Sequence, residues 1–176
     1  DISPQARRVA VVVLDDERGE LLNPGAHRRG IPMDGRRSAH HGHERIRVVL
    51  DNLSTGFRFL IPTSVPFVAG STGDRPLVGE VIAHHRVSAI IHFAASIVVP
   101  ESVTDPLGYY SNNTMNTCAL LDVAIKAGVR EFIFSSTAAV YGNAGDAPVR
   151  EDAPTVPISP YGTSKLMSEI ILHDAA

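Results

Sequence analysis

Apolar segments of the strand type alternate with helix starts from residue 46 to the end of the chain. Each segment is short and rich in Val, Ile or Phe, and each helix start has Asp or Ser as its N-cap. Such alternation predicts a parallel sheet covered by helices on both faces, the doubly wound class of α/β proteins. The segments are Ile46–Leu50, Val65–Val68, Ser88–Phe93 and Glu131–Ser136, and the helix starts are Asp74, Asp105 and Ser159.

The first 45 residues differ from the rest of the chain. Nine of the 14 Arg and four of the eight His precede residue 48. Apart from Arg8–Leu14, which has the composition of a buried strand, this part is rich in turn residues and has no helical period. We therefore expect residues 1–45 to be irregular. The histidines at 40, 41 and 43 have no Cys or carboxylate at ligand spacing, so a solvated loop is favoured over a metal site.

The composition narrows the classes of function. The chain is 44% hydrophobic and 20% charged, with a formal net charge of −3. That balance does not favour a nucleic-acid or anionic-membrane partner. No apolar run reaches the length of a membrane span. The single cysteine, Cys118, cannot form an internal disulfide, so we expect a reducing, cytoplasmic setting.

Four residues lie at or just after the ends of the predicted strands. The carboxyl ends of parallel strands meet at one edge of a sheet and ligands bind there, so Asp51, Gly70, Ala94 and Thr137 predict a site at that edge. Asp51 is the acid expected to accept hydrogen bonds from an adenosine ribose. Its charge repels a 2′-phosphate and so predicts NAD rather than NADP. The alternative is an ordinary Asp in a strand-end turn.

The last predicted helix has a Tyr and a Lys four residues apart. Ser159 is a suitable N-cap and Pro160 a suitable first residue, so Tyr161 and Lys165 should lie on one face of the helix. A nearby cation favours the ionised form of an acid, and a phenol in such a pair can accept a proton from a sugar or alcohol hydroxyl. The alternative is an amphipathic helix with Tyr161 at its buried edge and Lys165 in solvent.

Polar residues near these elements also have two interpretations each. The run Ser135–Thr137 leaves a strand tip and can direct hydroxyl groups toward the phenol, or it is simply a run of small residues. Asn112 and Asn113 fall within a helix, where Asn is a poor helix former. That position indicates a buried polar role, although a pair of surface residues is the simpler reading. His92 is expected to be structural.

Five motifs occur in order over residues 42–176: Asp51–Gly56, His92–Ala95, Pro106–Asn113, Phe134–Gly142 and Ser159–Met167. A single Tyr-x-x-x-Lys is a weak signal, whereas five ordered motifs are a strong one. Together they resemble the extended short-chain dehydrogenase/reductase family, and most closely its UDP-glucose 4-epimerases.

The resemblance implies a partial Rossmann-type NAD-binding domain over residues 46–176, which ends after the catalytic helix. It implies NAD as the cofactor and a UDP-sugar as the substrate. The implied activity is epimerisation at C4 of a UDP-hexose, UDP-glucose or UDP-galactose, through a transient 4-keto intermediate. It also implies a homodimer, because the two long helices of family members commonly form such an interface.

The resemblance also assigns roles to residues. Tyr161 would remove the proton from the sugar 4-hydroxyl, Lys165 would hold the nicotinamide ribose, and Thr137 would complete the catalytic set. The implied cofactor-binding residues are Asp51, Asn52, Ser71, Thr72, Phe93, Ala94, Ala95, Asn112, Ser135, Tyr161 and Lys165.

The sequence departs from the family in ways that bear on activity. Related dehydratases have an Asp-Glu pair after the catalytic Thr, where this chain has Ala138 and Ala139, so dehydration is disfavoured. No Gly-rich turn, which would hold a pyrophosphate at a helix N-terminus, occurs in residues 1–45. The family's nucleotide-sugar contacts lie beyond Ala176, so we expect impaired activity. Two alternatives remain open: a non-catalytic truncated fragment, or another nucleotide-sugar oxidoreductase of the family.

Overall fold

The computed structural model describes residues 11–14, 46–143, 145 and 148–176. The expected irregularity of residues 1–45 lies outside the described residues except at Val11–Leu14, which form a strand as the composition of Arg8–Leu14 indicates. The elements in chain order are β1 Val11–Leu14, β2 Ile46–Asp51, β3 Phe67–Ala69, α1 Arg75–His85, β4 Ala89–His92, α2 Val99–Thr104, α3 Pro106–Tyr109, a π-helical segment Tyr110–Met115, α4 Asn116–Lys126, β5 Glu131–Phe134 and α5 Pro160–Ala175. Short 3-10 helices span Arg58–Leu60 and Ala138–Tyr141.

The five strands form one sheet in the order β3-β2-β1-β4-β5. Strand β2 is parallel to β3, and β4 is parallel to β5, as the α/β prediction requires. Strand β1 departs from that prediction because it runs antiparallel to both of its neighbours. Val11 therefore pairs with Leu50 and His92 at the carboxyl ends of β2 and β4. The alternation that predicts parallel strands begins at residue 46, so it did not constrain the direction of β1.

All three predicted helix starts are confirmed by side-chain caps. Asp74 accepts a hydrogen bond from the backbone N–H of Leu77 at 3.1 Å. Asp105 accepts one from Gly108 at 3.0 Å, and Ser159 accepts one from Gly162 at 3.2 Å. Each cap satisfies one N–H group that the first turn of a helix leaves unpaired.

The hydrophobic core lies between the sheet and helices α1 and α4. Leu50 of β2, Ile90 of β4, Val78 of α1 and Leu120 of α4 are all buried within it. On β5, Phe132 packs against this core, whereas Ile133, whose side chain points to the opposite face, is 56% exposed. The described helices thus cover chiefly one face of this end of the sheet. No helix within the described residues is both long and apolar enough to cross a membrane.

Helix α5 approaches the tip of β5 closely because of a glycine. A Cβ atom at Gly162 would lie 2.6 Å from the carbonyl oxygen of Ala139 and 3.0 Å from Cβ of Pro157. Ala139 belongs to the 3-10 helix that follows β5. Only a residue without a side chain lets the first turn of α5 reach this position.

Replacing this glycine should disturb the approach of α5. Alanine is the better helix former by about 1 kcal/mol, so Gly79→Ala in α1, where the nearest atom is 3.8 Å away, should raise the free energy of unfolding by up to that amount. Gly162→Ala should instead lower it by about 1–3 kcal/mol, because the new methyl group overlaps backbone. Urea denaturation measures both variants, and equal effects would contradict this account of the packing.

Candidate active site

A cleft of about 440 Å³ opens at the carboxyl edge of the sheet, where the sequence predicts a site. It is formed by the turns after β2 and β3, the loop after β4, and the π-helical segment. Seven of the residues predicted to bind a cofactor line it: Asp51, Asn52, Ser71, Thr72, Ala94, Ala95 and Asn112. The other lining residues are Ser54, Thr55, Gly70, Ser96, Val98 and Glu101.

Asp51 is held in place at one end of the cleft. Its carboxylate accepts a hydrogen bond from the backbone N–H of Leu53 at 2.7 Å, and Leu53 takes a left-handed conformation with φ of 56°. The carbonyl oxygen of Asp51 accepts a hydrogen bond from the N–H of Gly70, which fixes the turn after β2 against the turn after β3. This rigid, buried acid can accept hydrogen bonds from vicinal hydroxyls such as those of a ribose.

The charge of the cleft is wholly acidic in the part of the chain that the structure describes. Asp51 and Glu101 are its charged lining residues, and no Lys, Arg or His lines it. Glu101 accepts a hydrogen bond from the hydroxyl of Tyr109 at 2.9 Å. A phosphate group in the cleft would therefore depend on backbone N–H groups or hydroxyls rather than on a cationic side chain.

Tyr161 and Lys165 do not line the cleft but are buried beside it. Tyr161 is 8% exposed and meets the ring of Tyr109 edge to face, with centroids 6.4 Å apart. Lys165 is 3% exposed, and its Nζ lies 4.2 Å from the ring centroid of Phe134. The alternative of Lys165 in solvent is thus wrong. Burial lowers the pKa of Lys165 to about 8, while the negative charge of Glu169 acts in the opposite direction.

The remaining predicted site residues, Ser135, Thr137 and Phe93, lie in the segments that follow β5 and β4. Thr137 follows β5, and its hydroxyl accepts a hydrogen bond from the N–H of Ala139 at 3.2 Å, which caps the 3-10 helix. Among the described residues no hydrogen bond joins Thr137 to Tyr161. Ser135 is bonded through its backbone N–H to the carbonyl of His92, and Phe93 is 44% exposed outside the cleft.

Asn113 has the buried polar role that its place within a helix indicates, although it is not among the residues predicted to bind the cofactor. The simpler reading of a surface Asn pair is wrong for it. Asn113 is 1% exposed. Its Nδ2 donates to the carbonyl of Ser96 at 2.9 Å and to the hydroxyl of Ser164 at 3.0 Å, and its Oδ1 accepts from the N–H of Ser96 at 2.7 Å. One side chain therefore connects the cleft loop after β4 to helix α5. The available signal was an Asn placed within a helix.

His92 lies buried at the end of β4, as expected for a structural residue. The hydroxyl of Thr117 donates to the carbonyl of Asn113 at 2.5 Å, so it accepts from Nε2–H of His92 at 2.8 Å. That leaves Nδ1 buried without a hydrogen-bond partner. Burial, reinforced by the positive charge of Lys165, lowers the pKa of His92 to about 3. The imidazole is neutral at physiological pH and does not compete with Lys165 for a counter-charge.

Comparison with known proteins agrees with this fold. The family model described as GDP-mannose 4,6 dehydratase matches residues 36–175. The UDP-glucose 4-epimerase of Azospirillum brasilense is 56% identical over 128 residues, which cover 73% of this chain and 37% of that protein. The chain spans well under half the length of the curated relatives it matches.

Solved structures give the same result. The UDP-Glc/GlcNAc 4-epimerase of Campylobacter jejuni superposes with a TM-score of 0.69 at 46% identity, over 73% of this chain and 40% of that one. The UDP-glucose 4-epimerase of Brucella ovis, solved in complex with NAD, gives 0.70 at 42% identity, over 72% and 39%.

The sheet and the buried Tyr–Lys helix define a Rossmann-like α/β protein of the extended short-chain dehydrogenase/reductase class. Within that class, the chain belongs to the GDP-mannose 4,6 dehydratase family.

The unusual pKa of His92 makes stability depend on pH. The folded pKa of about 3 lies below the unfolded value of 6.5, so the unfolded state binds more protons between these values and stability falls as the pH is lowered. The loss is at most about 1.4 kcal/mol per pH unit. His92→Gln removes this contribution. The difference in unfolding free energy between wild type and variant should therefore become smaller as the pH is lowered from about 7 to about 4.

Urea unfolding at several pH values measures that difference. The exposed His173 of α5 provides a matched control, because His173→Gln should keep the pH dependence of the wild type. A difference between wild type and His92→Gln that stays constant with pH would show that His92 does not titrate abnormally.

Proposed function

We propose that this chain forms the central sheet and catalytic helix of an NAD-dependent UDP-glucose 4-epimerase. Such an enzyme interconverts UDP-glucose and UDP-galactose through a 4-keto sugar. The observation that carries the proposal is the burial of Tyr161 and Lys165 on one helix beside a cleft that begins at Asp51. The names of the most similar relatives support it.

The cleft fits the adenosine half of NAD better than its diphosphate. Asp51 and Asn52 offer oxygens to ribose hydroxyls, and the acid of Asp51 disfavours a 2′-phosphate. Ser71 and Thr72 stand at the tip of β3, where their hydroxyls can bond an adenine. The small side chain of Ala94 leaves room for a ligand along the loop after β4. Bound NAD supplies reversible hydride transfer at the sugar C4.

The protein's own part in the reaction is to hold and move one proton. Tyr161 takes the proton from the 4-hydroxyl oxygen and returns it. The ammonium of Lys165, charged below its pKa of about 8, would stabilise the phenolate that forms and would hold the nicotinamide ribose of bound NAD. Thr137 contributes a hydroxyl that shares this proton. Burial of the pair excludes water and strengthens each electrostatic interaction.

Two further candidates are each favoured by one observation. The dehydratase family model favours another nucleotide-sugar oxidoreductase, although Ala138 and Ala139 provide no acid or base for dehydration. The acidic lining of the cleft favours a chain that does not catalyse, because Asp51 and Glu101 repel a diphosphate.

Calorimetry with NAD and a coupled assay of UDP-galactose conversion test these candidates. We expect saturable but weak NAD binding, since no described residue brings a cationic side chain to the cleft, and conversion near the detection limit. Any conversion should be lost in Tyr161→Phe and retained in Tyr110→Phe, which alters a half-buried tyrosine of the π-helical segment. Net reduction of NAD would indicate an oxidoreductase instead. If NAD binding does not saturate, the result favours the candidate in which the chain does not catalyse.

We further propose a cytoplasmic homodimer. The single cysteine supports a reducing compartment. Large apolar side chains are exposed on helices α4 and α5, including Ile125 of α4 and Ile170 of α5. Sedimentation equilibrium should show a dimer that Ile170→Glu disrupts. Val156→Glu, in the loop before α5, should leave it intact. A monomer at all concentrations would exclude this interface.

A further inference from the structure

A hydrogen bond that plays no part in the proposed mechanism joins the tip of β5 to helix α5. Ser136 lies between Ser135 and Thr137, and its hydroxyl donates to the carboxylate of Glu169. Glu169 lies four residues after Lys165. Within the described residues this is the sole side-chain hydrogen bond between residues 135–143 and α5. It therefore ties the segment that carries Thr137 to the helix that carries Tyr161.

Glu169 lies one turn along α5 from the buried ammonium of Lys165, and among the described residues no ion pair joins the two side chains directly. Residues four apart on a helix lie on one face, with about 5–6 Å between their Cβ atoms. Lys165 interacts electrostatically with Glu169, one turn along α5, and with His92 of β4. Tyr161 lies one turn before it, and Glu101 and Tyr109 lie on α2 and α3, which pack against α5. His92 is neutral, and the β5 residue over which Lys165 packs is Phe134, an uncharged ring. The negative charge of Glu169 acts against the effect of burial on the pKa of Lys165, which remains lowered to about 8.

We propose that Glu169 is a positioning residue for the Tyr161–Lys165 pair. Anchored by Ser136, its carboxylate keeps Lys165 charged and fixes α5 against the strand tip that carries Thr137. This inference rests on the proposed function in one respect, namely that the charged Lys165 takes part in catalysis. The link between Glu169 and Lys165 itself is a property of the fold.

The lysine content of the chain allows a direct test. Lys126 and Lys165 are its only lysines, so protein labelled with 13C at the lysine ε-carbon gives two resonances that can be titrated by NMR. Lys126 is exposed and serves as an internal reference. In Glu169→Gln, which retains an oxygen for Ser136, the pKa of Lys165 should fall by roughly half a unit to one unit. Asp174→Asn, an equal charge change at the exposed end of α5, should leave it unchanged.

A second variant separates the charge from the anchor. Ser136→Ala keeps the carboxylate but frees it to move, so the pKa of Lys165 should fall by less than in Glu169→Gln. This variant also keeps the test decisive if Glu169→Gln does not fold, as judged by circular dichroism. An unchanged Lys165 titration in every folded variant would overturn the proposal, as would an equal shift in Asp174→Asn.

The titration requires neither cofactor nor substrate. If Lys165 responds to Glu169 but NAD does not bind, the positioning role stands and the proposed function fails. If NAD binds and sugars are converted while the pKa of Lys165 is unchanged in Glu169→Gln, the function stands and the positioning role is wrong.

Discussion

Burial of one ammonium group determines much of the arrangement around the site. A charge removed from water is costly unless neighbouring groups compensate it. The electron-rich face of Phe134 covers Lys165, and the carboxylate of Glu169 lies one turn along the same helix. His92, a buried basic group that Lys165 influences, is held neutral. An ordinary amphipathic helix would place such a lysine in solvent, so its burial points to a chemical role.

The second constraint is the network centred on Asn113. In the π-helical segment its carbonyl accepts a hydrogen bond from the side chain of Thr117, and its amide group bonds Ser96 and Ser164. Asn112, the neighbouring residue, lines the cleft. A π-helical turn shifts the register of side chains by one residue, and such turns are frequent at functional sites. The loop beside the cleft and helix α5 are therefore connected through one buried amide.

Local signals in the sequence predicted the elements that depend on them. The caps Asp74, Asp105 and Ser159 placed three helix starts correctly, and the residues at strand ends placed the edge at which Asp51 lies. Features that depend on distant contacts were not predicted. Asn113 and Ser164 are 51 residues apart in the chain, and nothing near Asn113 reveals that partner. Helix α2 was also missed, because Val98 before it provides no side-chain cap.

The reversed central strand has an electrostatic consequence. A parallel strand in the middle of the sheet would deliver its carboxyl end, and the turn that follows, to the ligand edge. Here Val11, the first residue of β1, lies at that edge. Leu14, its last residue, lies at the opposite edge, where it pairs with Ile46 and Ala89. Among the described residues no turn following β1 contributes to this edge, and an anion entering the cleft meets two carboxylates and no cationic lining side chain. Added salt would screen this repulsion and favour the anion, the reverse of the behaviour of a basic pocket.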